Sequence, residues 1–459
     1  MLVTLPRRFH SFALFCALFC ALFCAAAALP HAAQAFEVLT VGKVARFKNA
    51  GDAARNGGVV IVGRDRELQT LEPPTCPAAS AVEIEAYLQS TLRDSVLAHV
   101  VLDCAKWTAY GDGYRYTDPG GTVRSIRYSR RGLRMDIGGA GFTPIGGPVA
   151  FLQAQLVVGG RTLRARFHNF AQNDGRAVVS RRPSAAAAAG EAGFWDALSG
   201  DASSEADEQA TIANLRQAIS RDARDGRSQF LLAMMHLYRF GQMVVRVQET
   251  SPAAHAELVA SNASFAVAVP LLWDDATATG DSRVPGFAAA GTFTQGVVEN
   301  DPALRAKGLA DLRRALEVND FFNVFDYIPV LQILPPSDPL FADAFAFVSA
   351  YLSDPATLQC VNTQPELCAN AGFAPRNLQG SLTLFGDLFA KSGNLTQAQT
   401  WYSLAAIFPD TATWEFKSAL DDRIAHTAER IALYTDADPS NDPPIIGAGA
   451  AACATCHHR

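Results

Sequence analysis

The chain reads as an α+β, multidomain protein: an N-terminal β-sandwich-like domain, then an α-helical domain, then a short tail. Three observations predict this. Residues 36–182 hold short apolar runs of strand length, broken by glycine pairs. From about 205 to 435 the apolar residues recur at helical spacing. Beyond 435, prolines, acids and glycines interrupt both periods. The length of 459 residues allows about two to four domains. A composition 49% hydrophobic and 18% charged is that of a folded protein, and excludes disordered and collagen-like classes.

Residues 1–35 read as a secretory signal peptide. Arg7 and Arg8 precede an apolar run over 11–29 that contains three copies of Ala-Leu-Phe-Cys, and Ala33-Gln34-Ala35 offers the small-x-small cleavage pattern. The same run approaches the length of a membrane span, so a retained anchor is the alternative. Phe23 before Cys24 leaves no small residue of the kind expected ahead of a lipidated cysteine. No later stretch is expected to cross a membrane. The mature chain is therefore expected in the periplasm or secreted. Without 1–35 it carries 37 Lys and Arg against 45 Asp and Glu, which argues against a nucleic-acid binder.

In the β-rich region, Val59-Val60-Ile61-Val62 and His99-Val100-Val101-Leu102 are strand candidates. A hairpin is expected over 151–170, turning at Gly159-Gly160. In its second arm Leu163, Ala165 and Phe167 alternate with Arg164, Arg166 and His168, giving one buried face and one basic face. The run from Trp107 through Tyr114-Arg115-Tyr116 to Met135 resembles strand repeats of exported bacterial proteins of unassigned function, which implies no activity. Residues 183–204, with Pro183, a run of five alanines after Ser184 and three glycines, read as a linker; the polyalanine can also extend a helix.

Within 205–435, stretches 211–221 and 228–240 are helical, split by a turn at 222–226. Around 380–409, Phe385, Gly386, Phe389, Gly393, Ala398, Tyr402, Ala405 and Pro409 resemble the spacing of a tetratricopeptide repeat, with weaker copies near 208–240 and 305–330. An ordinary helical bundle is the alternative. The resemblance implies a helical-hairpin scaffold for protein partners and no chemistry of its own. Charge is unevenly divided: residues 36–182 hold 20 Lys and Arg against 13 Asp and Glu, and residues 183–459 hold 17 against 32. Two regions of opposite sign can dock on each other or meet different partners.

The tail carries the sharpest chemical signal. Cys453-Ala-Thr-Cys456-His457 is the haem-attachment pattern of c-type cytochromes, which it resembles. Two thiols at this spacing add to the two vinyl groups of one haem edge, and the next histidine ligates the iron. Covalent haem c is thus the expected cofactor, with Cys453 and Cys456 as thioether sites and His457 as proximal ligand. The pattern departs from cytochromes in that only His458 and Arg459 follow it here. A sixth ligand would come from upstream (Met234, Met235, His236, Met243, His255 or His426) or from another chain, or be absent. Two other readings stay open: a Cys453–Cys456 disulfide, and a soft-metal site shared with the histidines. A tether of about fifteen to eighteen residues would let the motif swing, with Ile445 and Ile446 as its anchor.

Of the other cysteines outside 1–35, Cys360 and Cys368 bracket a short loop, and Cys76 and Cys104 share the β-rich region. Both pairs are expected as disulfides. Asp436, Asp438, Asn441 and Asp442 have calcium-like spacing but lack the turn glycine, so they read as polar linker. Asp274, Asp275 and Asp281 are discounted likewise. No nucleophile elbow, phosphate loop or zinc-protease motif occurs, and no catalytic residue is assigned. Together these readings point to an exported haem protein for electron transfer or redox docking with a protein partner. The alternative is a non-enzymatic binding scaffold.

Overall fold

A computed structural model describes residues 36–48, 56–62, 80–88, 93–158, 161–168, 170–174, 176–180, 182–200, 204–244, 250–353, 374–436, 438–446 and 454–458. It has an α+β layout, an antiparallel sheet region followed by a helical region. The strands are β1 (Phe36–Lys48), β2 (Gly57–Val62), β3 (Ser80–Leu88), β4 (Arg93–Leu102), β5 (Trp107–Tyr110), β6 (Gly113–Thr117), β7 (Val123–Ser129), β8 (Gly132–Gly138), β9 (Val149–Val158), β10 (Arg161–Phe167), β11 (Phe170–Asn173) and β12 (Ala177–Ser180). Their hydrogen-bonded order is β4-β3-β9-β10-β1-β2-β8-β7-β6-β5, with β12 also on β1 and β11 on β12. The long β1 thus joins two sheets.

Period-two alternation fills the core between them. On β8, Leu133, Met135 and Ile137 are buried while Arg134 is exposed. Ile84 and Leu156 from one sheet share a core cluster with Val60 and Ile126 from the other. The hairpin expected over 151–170 is present, with Arg161 opposite Val158; its buried face is Leu163, Ala165 and Phe167. On the other face Arg164 and Arg166 reach Gln155 and Gln153.

Among the described residues thirteen helices follow: α1 (Ala185–Leu198), α2 (Glu205–Arg221), α3 (Gly226–Met243), α4 (Pro252–Leu272), α5 (Val284–Val298), α6 (Pro302–Val318), α7 (Asp320–Ile333), α8 (Pro339–Leu352), α9 (Asn377–Lys391), α10 (Leu395–Ala406), α11 (Lys417–Ala425), α12 (Thr427–Thr435) and the one-turn α13 (Ala454–His457). Side-chain caps start many of them: Ser184, Asp225, Ser251, Asp301, Asp338 and Asn394 accept from first-turn amides, and Ser204 forms a capping box with Asp207.

The stretch read as linker contains α1: Ser184 caps it, and Ala186, Ala187, Gly190 and Phe194 are buried, because small side chains let α2 approach closely. The expectation that no later stretch could cross a membrane meets α4, which is long and apolar enough by length and composition alone. In the fold α4 buries Leu258, Phe265 and Ala268 and leaves Val259, Val267 and Leu271 exposed.

Sheet and helices meet at Phe151. Arg166 of β10 and Arg283, just before α5, hold their guanidinium carbons 4.4 and 4.6 Å from its ring centroid. His168 packs beside it, its titration held well below the usual histidine range by burial and by Arg227, Arg166 and Arg283. The basic hairpin face is therefore in part a seam with the helical half.

Candidate functional site

The tail is built onto α9, a helix with no exposed residue. Packing of α9 against α10 needs one glycine: a Cβ at Gly386 would collide with the Tyr402 ring, and Ala398 opposite is fully buried. A second glycine, Gly380, receives the tail. A Cβ there would lie 2.5 Å from Cys456 Sγ and 2.9 Å from the Thr455 carbonyl oxygen. Gly380 and Asp387 are seven residues apart, hence two turns and roughly 10 Å along one helix face. Each seats one end of the tail.

At the first seat, Asp387 is 0% exposed. It accepts from Tyr402 Oη at 2.6 Å, from Arg423 Nε at 2.9 and 3.0 Å, and from the Ile446 amide at 2.5 Å. Arg423 and Arg430 donate to the Pro444 carbonyl at 3.0 and 2.9 Å, and Tyr434 donates to that of Pro443 at 2.8 Å. Burial, then the Asp387 charge, raise both tyrosine hydroxyls far above their usual range, so they stay protonated donors. Ile445 and Ile446 are buried in the helical core.

At the second seat, the Arg376 amide donates to the Cys456 carbonyl at 2.9 Å, and Trp414 Nε1 to the Thr455 carbonyl at 3.0 Å. Arg376 is itself fixed by Asp410 at 2.9 Å. Ala454 and Thr455 are buried, His457 is half-buried, and His458 pairs with Glu415 at 2.9 Å. Cys456 is a free thiol. Burial pushes it up to about 11, against the pull of the Thr455 and Ser381 hydroxyls.

The surroundings of Cys456 disfavour the thiolate that a metal would need. The Gly380 cradle gives the Cys456 sulfur its room, and a half-buried site that disfavours a charged sulfur is compatible with a neutral thioether. Cys453 lies outside the described residues. Among the described residues no group of three or more His, Cys, Asp or Glu is placed to hold a metal.

Five of the six upstream ligand candidates are engaged elsewhere. Met235 is buried in the cluster of α1, α2 and α3, with Met234 packed against it, and Met243 is exposed near the end of α3. His236 pairs with Glu257 at 2.5 Å, His255 with Glu299 at 2.8 Å and His426 with Asp422 at 2.9 Å. Cys104 is disulfide-bonded; Cys76, Cys360 and Cys368 lie outside the described residues. Asp436 and Asp438 accept from the amides of Asp438 and Ser440, the Asp436 carboxylate also accepts from Asn441, and these are local turn bonds. Asp274 accepts from Thr277, Asp275 pairs with Arg314, and Asp281 with Arg283 at 2.6 Å.

Sequence reasoning missed Gly380, Asp387, Arg376 and Trp414. One signal was available: Asp387 stands inside the apolar run Leu384-Phe-Gly-Asp387-Leu-Phe389, where a carboxylate needs buried partners. A scan against family models and searches of curated proteins and of solved structures find no match to this chain.

Proposed function

We propose that the chain is an exported protein that carries haem c at Cys453, Cys456 and His457 and serves electron transfer or redox docking on a tetratricopeptide-like helical scaffold behind a β-sandwich-like domain. The observation that carries the reading is the Gly380 seat, which accommodates a neutral Cys456 sulfur at the right position of a C-x-x-C-H motif. When bound, haem supplies reversible one-electron exchange at its iron. Cys453 and Cys456 would hold the macrocycle and His457 would be the proximal ligand. Arg376 and Trp414 hold the motif backbone, and Asp387 with Arg423 and Arg430 holds the segment leading to it. The helical hairpin α9–α10, with Gly386 against Tyr402 and buried Ala398 and Ala405, supports the tetratricopeptide-like part.

Haem staining after denaturing electrophoresis, with an absorption spectrum of the purified protein, tests the proposal. The wild-type band should stain and Cys453→Ser/Cys456→Ser should not. An unstained wild-type band of bare polypeptide mass, with both thiols alkylatable, would refute it and leave the binding scaffold. The exposed Val259, Val267 and Leu271 of α4 favour that second reading, as an apolar strip for a protein partner.

A further inference from the structure

Strands β6, β7 and β8 place three arginines in one cross-strand row. Arg115 is directly opposite Arg127, and Arg127 directly opposite Arg134. Neighbouring strands are about 4.8 Å apart, so three positive charges share a strip of roughly 10 Å. Like charges in register destabilise a sheet unless something neutralises them. Among the described residues nothing does: the nearby carboxylates are taken, Asp136 by Arg124 at 3.9 Å and Asp112 by Arg131 at 3.7 Å. The Arg115 Nε is buried without a hydrogen-bond partner. The Arg115 and Arg127 guanidiniums lie instead on the ring of Tyr110, 5.9 and 5.7 Å from its centroid. That tyrosine is 48% exposed on the edge strand β5.

The register also fixes which end of the sheet this is. Gly42 lies opposite Val62, Val62 opposite Leu133, Leu133 opposite Tyr128, Tyr128 opposite Tyr114, and Tyr114 opposite Ala109. Just beyond that row come Tyr110 and the β7–β8 turn with exposed Arg130 and Arg131. The upstream half of β1 leaves toward the same end.

We infer that this arginine strip is a docking surface for an anionic phospholipid bilayer. Guanidiniums are drawn by charge to the phosphates of anionic headgroups, and an exposed tyrosine beside them suits the headgroup layer. Single headgroups can meet three closely spaced charges one by one. A nucleic acid of ordinary affinity needs six to ten phosphate contacts, more than a strip of this length offers. The inference stands independently of the haem reading.

Cosedimentation of the purified full chain with vesicles tests it, using phosphatidylcholine alone or with one-third phosphatidylglycerol. Binding should require the anionic lipid and be lost at high salt. Arg115→Gln/Arg127→Gln/Arg134→Gln should lower partitioning on the order of a hundredfold, and the triple Arg→Lys variant, which keeps the charge, should retain most of it. Equal binding to neutral vesicles, unchanged binding by the glutamine variant, or loss in the lysine variant would overturn the inference. So would a fluorescent single-stranded oligonucleotide or acidic peptide that binds through these arginines while anionic vesicles do not.

Discussion

Replacing Asp387 with alanine should release the tail and destabilise the helical half together. The carboxylate is fully buried and satisfies four donors: the Tyr402 hydroxyl, Arg423, Arg430 and the Ile446 amide. Its loss leaves two nearly buried guanidiniums facing each other with no acid between them. Breaking a buried pair from one side costs about 3–5 kcal/mol, since the stranded charge keeps its desolvation penalty. For a cooperative unit of this size that is a fall in Tm on the order of 10 °C. Tyr402→Phe removes one hydrogen bond to a charged group and should cost about 1.5–3 kcal/mol. Thermal melts followed by circular dichroism measure the first effect. Limited proteolysis measures the second, because the segment after Thr435 should be cut sooner in the alanine variant. A melt within 1–2 °C of wild type, with unchanged cutting, would refute the clamp.

Gly380→Ala should act at the other seat, where the new methyl meets Cys456 Sγ and the Thr455 carbonyl; a cost of about 1–3 kcal/mol and faster cutting after Thr435 are expected. Ala398→Leu should cost a similar amount by overpacking α10 against α9, seen as a lower Tm; an unchanged melt would mean this face yields without strain. In haem-free protein, Cys456 should react with iodoacetamide increasingly up to about pH 11, whereas the unfolded chain levels near 9. Because the folded thiol is the weaker acid, its stabilising contribution is complete below pH 9 and disappears as pH rises through 11. That is about 2–3 kcal/mol, absent from the pH profile of Cys456→Ala.

Where structure depends on neighbours along the chain, it was legible. The alternation of Leu163, Ala165 and Phe167 names the buried face of β10, and Gly386 with Ala398 names the close approach of α9 and α10. Where it depends on distant partners, it was not. Five alanines fit a linker or a helix equally well, and only contact with Leu215 and Thr211 makes Gly190 and Gly193 part of a packed α1. The arginine row was invisible because register between β6, β7 and β8, not composition, brings Arg115, Arg127 and Arg134 together. The motif itself was plain in the sequence, but its seat was not, since Gly380 carries no side chain to announce it.

The tail shows most clearly how composition can mislead about reach. Prolines, acids and glycines from 436 to 449 have no helical or strand periodicity, and alone they would form a long tether. Instead Ile445 and Ile446 enter the core, and the carbonyls of Pro443 and Pro444 meet Tyr434, Arg423 and Arg430. The clamp closes again at 454–458. Only residues 447–453 lie between the two seats, which are roughly 10 Å apart along α9. Seven residues could span about 25 Å if extended, so this segment is long enough to bridge the seats. Swinging a group on Cys456 away from α9 would require breaking the Gly380 seat, and a reach beyond about 25 Å the Asp387 clamp as well. The second step costs the burial of Ile445 and Ile446, the Ile446 amide bond to Asp387, and the bonds from Arg423, Arg430 and Tyr434 to the carbonyls of Pro444 and Pro443. A partner of the proposed haem would therefore meet the motif where it sits on α9.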